Sequence, residues 1–201
     1  MPNGLERRNG MIRRASVNSH NWVGMLSNYN TKINDNLSFD VGIDLRSYTG
    51  LHYRRVDNLL GADGYRDNDD INNPLNVQST EYSSDLAQQW NVFRSTEDEQ
   101  KIAYNNDGKV RWAGAFSQLE YDVNEDFNTF ISLAVSNTSY QRVDYFKFLD
   151  SDPLQTTDTY NFLGYSVKGG ANYNIDDTNN VFVNIGYFSK APFLDRDMTF
   201  V

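Results

Sequence analysis

Residues 34–46 read "NDNLSFDVGIDLR", and this stretch decides the fold class. After the polar turn at 34–36, apolar residues alternate strictly with polar residues or glycine. The two series are Leu37, Phe39, Val41, Ile43 and Leu45, and Ser38, Asp40, Gly42, Asp44 and Arg46. Because successive side chains of a strand point to opposite faces, the segment predicts a β-strand with one apolar and one polar face.

The same combination of a short Asn/Asp turn and an alternating segment occurs twice more, at "NED" (124–126) and "DDTN" (176–179). Asn and Asp suit such turns because they tolerate left-handed backbone and bond their own neighbours. The pattern predicts an all-β, antiparallel fold of six long strands in three hairpins, at about 20–33, 37–54, 109–123, 127–147, 160–175 and 180–191. The polar segment 57–108 is expected to be a long surface loop. Since antiparallel strands alternate in direction, the short turns are expected at one end of the sheet.

Composition excludes several functional classes. The 201 residues carry a net charge of −9, which argues against a nucleic-acid partner, because phosphate contacts need clustered Lys and Arg. The absence of cysteine excludes a disulfide scaffold, a Cys zinc site and a Cys nucleophile. No stretch approaches the ~18 apolar residues of a transmembrane helix. The arginine-rich N-terminal segment has no apolar core, so it does not predict a secretory signal peptide.

Strand length separates two interpretations of the alternating pattern. Strands of soluble sandwiches usually have about 5–6 residues, whereas the predicted strands are about two to three times longer. About 9–11 tilted residues cross a bilayer, and short turns at one end with long loops at the other are typical of outer-membrane barrels. Tyr29, Tyr121 and Tyr173, each shortly before a turn, would form one interfacial aromatic girdle, and Tyr53, Tyr145 and Tyr187 the other. A soluble β-sandwich binding module remains the alternative.

Three segments carry a family resemblance: "FDVGIDLRSYTGLHYRRVDNLLGADGYRD" (39–67), "VRWAGAFSQLEYDVNEDFNTFISLAVSNTSYQRVDYFKF" (110–148) and "SVKGGANYNIDDTNNVFVNIGYFSKAPFLD" (166–195). They resemble barrel strands of TonB-dependent outer-membrane receptors, particularly those of Bacteroidota. The most specific piece is "NVFVNIGYFSKAP" (180–192), which is similar to a run that ends a barrel strand at the cell surface in that family. Together the similar segments cover most of residues 20–195.

The resemblance implies an outer-membrane location and a barrel-wall role in import of a large nutrient, such as a metal chelate, glycan or peptide. Its implied partners are outer-membrane lipid, the plug and remaining strands of the receptor, and the TonB system acting through the plug. The sequence shows no plug, and six strands are roughly a quarter of such a barrel. We therefore expect an internal or truncated part of a receptor, not closed on its own. A barrel of another type, such as an adhesin or porin, is a further alternative.

Candidate site residues follow from this interpretation. Those on the polar face of the second strand would line the lumen: Asp40, Asp44, Arg46, Tyr48, His52 and Arg54. Aromatic and basic residues of the long loop would contact a surface ligand: Tyr82, Trp90, Phe93 and Arg94. An acidic cluster in the same loop is a calcium candidate, with a solvated loop as the alternative: Asp63, Asp67, Asp69 and Asp70. We expect no cofactor and no catalytic residue, because no nucleophile, phosphate-loop or metal motif is present.

Overall fold

The computed structural model describes residues 11–82 and 96–192, and these residues are almost entirely β-structure. Two short 3-10 helices, Asp98–Gln100 and Pro153–Gln155, lie in the connections. The strands in chain order are β1 (Arg13–Asn34), β2 (Leu37–Asn58), β3 (Tyr65–Asp67), β4 (Asn76–Gln78), β5 (Lys101–Asp122), β6 (Phe127–Asp144), β7 (Tyr160–Asn174) and β8 (Asn180–Ser189). The predicted all-β class is confirmed.

Six of the strands form one antiparallel sheet in the order β1-β2-β5-β6-β7-β8, and β3 pairs with β4 in a separate two-stranded sheet. Three hairpins therefore lie side by side in sequence order, as predicted. Among the described residues the main sheet does not close into a barrel, so β1 and β8 are its edge strands.

Several strands extend beyond the bounds expected from the sequence. β1 begins at Arg13 instead of about 20, and β5 begins at Lys101 instead of about 109. The segment 101–108, "KIAYNNDG", is too polar to show an alternating apolar face. It is nevertheless strand, because backbone pairing does not depend on apolar side chains and its polar groups bond within the folded loop described below.

The three hairpin turns are capped in the same way, by the side-chain oxygen of their first polar residue. That oxygen accepts a hydrogen bond from the backbone N–H two residues on, which is the Asx-turn geometry. The pairs are Asn36 to Asn34 (2.9 Å), Asp126 to Asn124 (3.0 Å) and Thr178 to Asp176 (2.8 Å). Positive φ at non-glycine residues of the described chain occurs at Leu60 and Ala103, outside the turns. The repeated Asn/Asp turns thus depend on side-chain hydrogen bonds, and the expected left-handed backbone does not occur there.

The chain divides into two compact units. Among the described residues, the loop unit comprises 11–21, 49–82, 96–108 and 141–158, and the sheet unit comprises 22–48, 109–140 and 159–192. In the loop unit, the buried side chains of Val56, Leu59 and Ile102 form a small core. The long predicted loop is therefore not simply solvated chain, because strands β3 and β4 and this core give it a packed structure.

Candidate functional site

The strand register of the sheet unit places all odd-numbered residues on one face. Val167 of β7 lies opposite Leu133 of β6 and opposite Tyr187 of β8, and directly opposed residues project to the same side. In the pairs β1–β2, β2–β5 and β5–β6, even-numbered residues contact even-numbered residues, so the odd-numbered residues again share the opposite face. A Cβ added at Gly24, Gly42 or Gly114 would contact a side chain of the neighbouring strand. The contacted residues are Arg46, Phe116 and Ser136, respectively.

This odd face exposes large apolar side chains on every strand of the main sheet. Leu45 on β2 is 40% exposed, Leu133 on β6 is 48% exposed and Ile185 on β8 is 76% exposed. The rows that contain Leu37, Phe127 and Val181 belong to this face. Soluble proteins rarely expose an apolar patch of more than a few hundred Å². The face is therefore an exposed apolar surface that crosses all six strands.

Aromatic pairs lie at two levels of the odd face. Tyr165 packs against Tyr187 with ring centroids 5.9 Å apart, and Phe127 packs against Tyr173 at 6.5 Å. Tyr165 and Tyr173 both belong to β7, and eight residues of extended strand span about 27 Å. At the strand tilt of about 35–45° in membrane barrels, this length corresponds to about 19–22 Å along the membrane normal, somewhat less than the ~25 Å apolar band of such barrels.

The two expected girdles agree with the structure to different degrees. Tyr29, Tyr121 and Tyr173 are exposed, as a girdle near the turns requires. Tyr53 is only 7% exposed and donates a hydrogen bond to Thr96 Oγ1 inside the loop unit. Tyr145 donates to Asp107 Oδ2 at 3.0 Å. The assignment of Tyr53 and Tyr145 to a girdle is therefore wrong, because the folded loop uses both side chains in its own packing.

The even face of the sheet unit carries four of the predicted lumen residues in lateral contacts. Asp40 accepts hydrogen bonds from the side-chain amides of Asn28 (3.1 Å) and Asn30 (2.7 Å) on β1. Arg46 donates to Asp44 at 2.8 Å. Tyr48 packs edge-on against Trp22, with ring centroids 5.8 Å apart. The contacts of Asp40 and Tyr48 link β2 to β1, whereas the contact between Arg46 and Asp44 lies within β2.

The remaining two predicted lumen residues lie in the loop unit and also contact β1. The His52 ring is 3.0 Å from Asn18 Oδ1, and Arg54 donates to Ser16 Oγ at 3.4 Å. The Arg54 guanidinium also stands 5.1 Å from the ring centroid of Tyr104. Within each unit, most of the candidates contact β1 across the strand pair. Their role in the lumen stays a prediction.

The even face also contains aromatic residues that break the polar pattern, and four of them lie against a glycine. The pairs are Trp112 over Gly114, Phe116 over Gly42, Phe130 over Gly170 and Phe188 over Gly186. Glycine in a strand permits such close approach, and the ring fills the space that the missing side chain leaves. Phe116 covers Gly42 and Phe130 covers Gly170 across neighbouring strands, whereas Trp112 and Phe188 each cover a glycine two positions away on their own strand.

Tyr82 does not occupy the position expected of a surface ligand contact. Its side chain is 4% exposed, its ring stacks under the Arg55 guanidinium at 3.6 Å, and its hydroxyl donates to Gln100 Oε1 at 3.2 Å. Arg55 in turn donates to Thr96 Oγ1 at 3.1 Å. Tyr82 thus supports the fold of the loop unit and is not available at its surface. The other three candidates of this set, Trp90, Phe93 and Arg94, lie outside the described residues.

The four aspartates proposed for calcium do not form a metal site. Asp67 is 2% exposed, and its Oδ2 accepts a hydrogen bond from the backbone N–H of Ala103 at 3.2 Å. Asp70 caps a turn by accepting from Asn72 N–H at 2.9 Å. Within residues 11–82 and 96–192, no group of three or more His, Cys, Asp or Glu is placed to hold a metal ion. Burial raises the pKa of Asp67, so its charge is disfavoured where it lies.

Comparison with protein-family models, with curated proteins and with solved structures gives no match. The described part of the chain contains no helix that is long and apolar enough to cross a membrane. The features that bear on function are therefore the two faces of the main sheet and the resemblance of the strand sequences.

Proposed function

We propose that the chain forms part of the barrel wall of a TonB-dependent outer-membrane transporter that imports a large nutrient. The observation that carries the proposal is the exposed apolar odd face, which extends over six long adjacent strands. The opposite face is mostly polar, although Trp22, Leu26, Phe182 and Phe188 are exposed on it. Outer-membrane strands alternate in this way, with apolar side chains towards lipid and polar side chains towards the lumen.

Burial of the apolar side chains away from water favours lipid as the neighbour of the odd face. Each large apolar side chain gains about 1.5–3 kcal/mol when it leaves water, and the odd rows contain such residues on all six strands. A soluble sandwich would cover them with a second sheet at a distance of about 10 Å. In the described part of the chain they are exposed.

The edges of the sheet support a wall that continues on both sides. β1 and β8 each present one row of backbone N–H and C=O groups without a strand partner in the main sheet. Lipid cannot satisfy such groups, so open edges do not occur within the hydrocarbon region. In the proposed receptor, further strands pair with β1 and β8, the even face lines the lumen beside the plug, and TonB supplies energy through the plug. The resemblance supports the plug and TonB, and the wall has no catalytic role.

The absence of native cysteine permits a direct test by single-cysteine labelling in outer-membrane vesicles. Leu133→Cys and Ile185→Cys on the odd face are expected to react with a lipid-soluble maleimide and to resist a water-soluble one until the membrane is dissolved. Ser132→Cys on the even face is the matched control and should show the opposite preference. Equal reaction of all three positions with the water-soluble reagent in intact membranes would refute the membrane wall.

The TonB assignment needs its own measurement. Uptake of the receptor's nutrient should stop when the TonB complex is inactivated by a protonophore. Continued uptake under that condition would favour a simple porin over a TonB-dependent transporter.

A further inference from the structure

A lysine, an asparagine and an aspartate meet in the loop unit at the beginning of β5. Lys101 Nζ lies 2.6 Å from Asp98 Oδ1 and 3.2 Å from Asn105 Oδ1. The same Asp98 oxygen accepts a hydrogen bond from Asn105 Nδ2 at 3.5 Å. One carboxylate oxygen therefore contacts both the amine and the amide nitrogen, while the amine lies beside the carbonyl oxygen of that amide.

The backbone at Ala103 brings the lysine and the asparagine together. In a regular strand, residues four positions apart are separated by about 13 Å. Ala103 has a φ of 65°, which interrupts the extended backbone between Lys101 and Asn105. Its N–H donates to the buried Asp67 carboxylate at 3.2 Å. Such strained backbone at a non-glycine residue is concentrated at functional sites, and here it holds in contact two side chains that a regular strand would keep apart.

The amine and the amide are removed from water, whereas the carboxylate is not. Lys101 is 8% exposed and Asn105 is 2% exposed, and the buried Tyr53 ring covers the amine with its centroid 4.9 Å from Nζ. The Asp98 side chain is 80% exposed. A nucleophile and an electrophile are thus packed against each other, and the carboxylate that contacts both can exchange protons with solvent.

We propose that Lys101 and Asn105 join in a self-catalysed isopeptide bond, with Asp98 as the catalytic residue. Asp98 takes a proton from the Lys101 ammonium, and the neutral Nζ attacks Asn105 Cγ. The Nζ–Cγ bond forms and the Cγ–Nδ2 bond breaks. Asp98 passes the two protons that Nζ loses to the departing nitrogen, which leaves as ammonium through the open side of the site. No electron is transferred, no co-reactant is needed, and Asp98 ends as a carboxylate.

The product closes a small ring across Ala103. It fixes the bend that the Asp67 hydrogen bond supports and prevents this part of β5 from straightening. The reaction occurs once in each chain. It does not depend on the proposed membrane wall, because the three side chains all belong to the loop unit.

Intact-mass spectrometry of the purified, folded full chain tests the inference. We expect a mass about 17 Da below that of the unmodified sequence, because one ammonia is lost. Trypsin should leave the bond after Lys101 uncut, since the enzyme requires a free lysine side chain. Lys101→Arg keeps the positive charge without the amine nucleophile, and Asn105→Ala removes the electrophile. Both variants should show the unmodified mass.

A matched pair of variants in the same 3-10 helix tests the catalytic carboxylate. When the chain is refolded from urea, Asp98→Asn should slow the loss of mass by about 100-fold or more. Glu99→Gln removes an acid that contacts neither reacting group, and it should react like the native chain.

Hydroxylamine separates the isopeptide from a succinimide at an asparagine, which loses the same ammonia but is cleaved by the reagent. An unmodified mass in the folded native chain, cleavage after Lys101, or cleavage by hydroxylamine would each overturn the bond. An unchanged rate in Asp98→Asn would overturn the role of Asp98.

Discussion

The adjacent glycines Gly169 and Gly170 in β7 provide a stringent test of how the even face packs. A Cβ on Gly170 would overlap the side chains of Asn184 and Phe130 and would lie 2.8 Å from the backbone oxygen of Val183. A Cβ on Gly169 projects to the odd face, and its nearest neighbour is the backbone oxygen of Phe130 at 3.4 Å, an ordinary contact. One residue along the strand therefore separates a closed position from an open one.

Gly170→Ala is expected to destabilise the sheet and Gly169→Ala is not. Overpacking costs about 1–3 kcal/mol, whereas an alanine that fits stabilises by about 0.4–1 kcal/mol because it restricts the unfolded chain. The Asn184 and Phe130 side chains can move, but the Val183 backbone oxygen is held in the β7–β8 ladder. We therefore expect the two variants to differ by about 2 kcal/mol, or roughly 30-fold in the folding equilibrium constant.

The measurement is urea unfolding of the protein reconstituted in lipid, with the midpoint and slope compared between the two variants. Phe130→Ala combined with Gly170→Ala should recover part of the loss, since it removes one of the overlapping groups. If Gly170→Ala is as stable as Gly169→Ala, the aromatic side chains do not cover the glycines of the even face, and the reasoning fails.

Three further predictions concern the turns and the loop unit. Hydrogen bonds from Thr178 and then from Asn179 lower the pKa of Asp176 to about 2. The ionised Asp176 should therefore stabilise the turn fully above pH ~4, and this contribution should be lost as the pH falls through 2. NMR titration of the protein, compared with Asp176→Asn, measures this dependence. Burial and then the Asp107 charge raise the pKa of Tyr145 to about 12. The stability of the protein should therefore decline as the pH rises from 10 to 12. Tyr145→Phe should lose this dependence, as a titration followed by tyrosine absorbance measures. Tyr82→Ala should cost about 3–5 kcal/mol in the loop unit, measured by hydrogen exchange, whereas an unchanged exchange rate would contradict its burial.

The apolar face of the main sheet could be predicted from the sequence, whereas the packing inside the long loop could not. The odd rows were predictable because a period of two requires only that the segment be a strand and that one face be apolar. The buried position of Tyr82 was not predictable, since the segment around it is polar and lacks a period. Its burial depends on Arg55, 27 positions away in the sequence, which covers its ring.

The amino-acid order alone determined the β class, the three capped turns and the separation of apolar from polar faces, because each of these depends on residues within a few positions of one another. Tertiary structure decided which side chains meet across the fold: Phe116 over Gly42, Phe130 over Gly170, and the contacts of Tyr53, Tyr82 and Tyr145 in the loop unit. Those contacts join residues that lie far apart in the chain, and only the register and the folded loop bring them together.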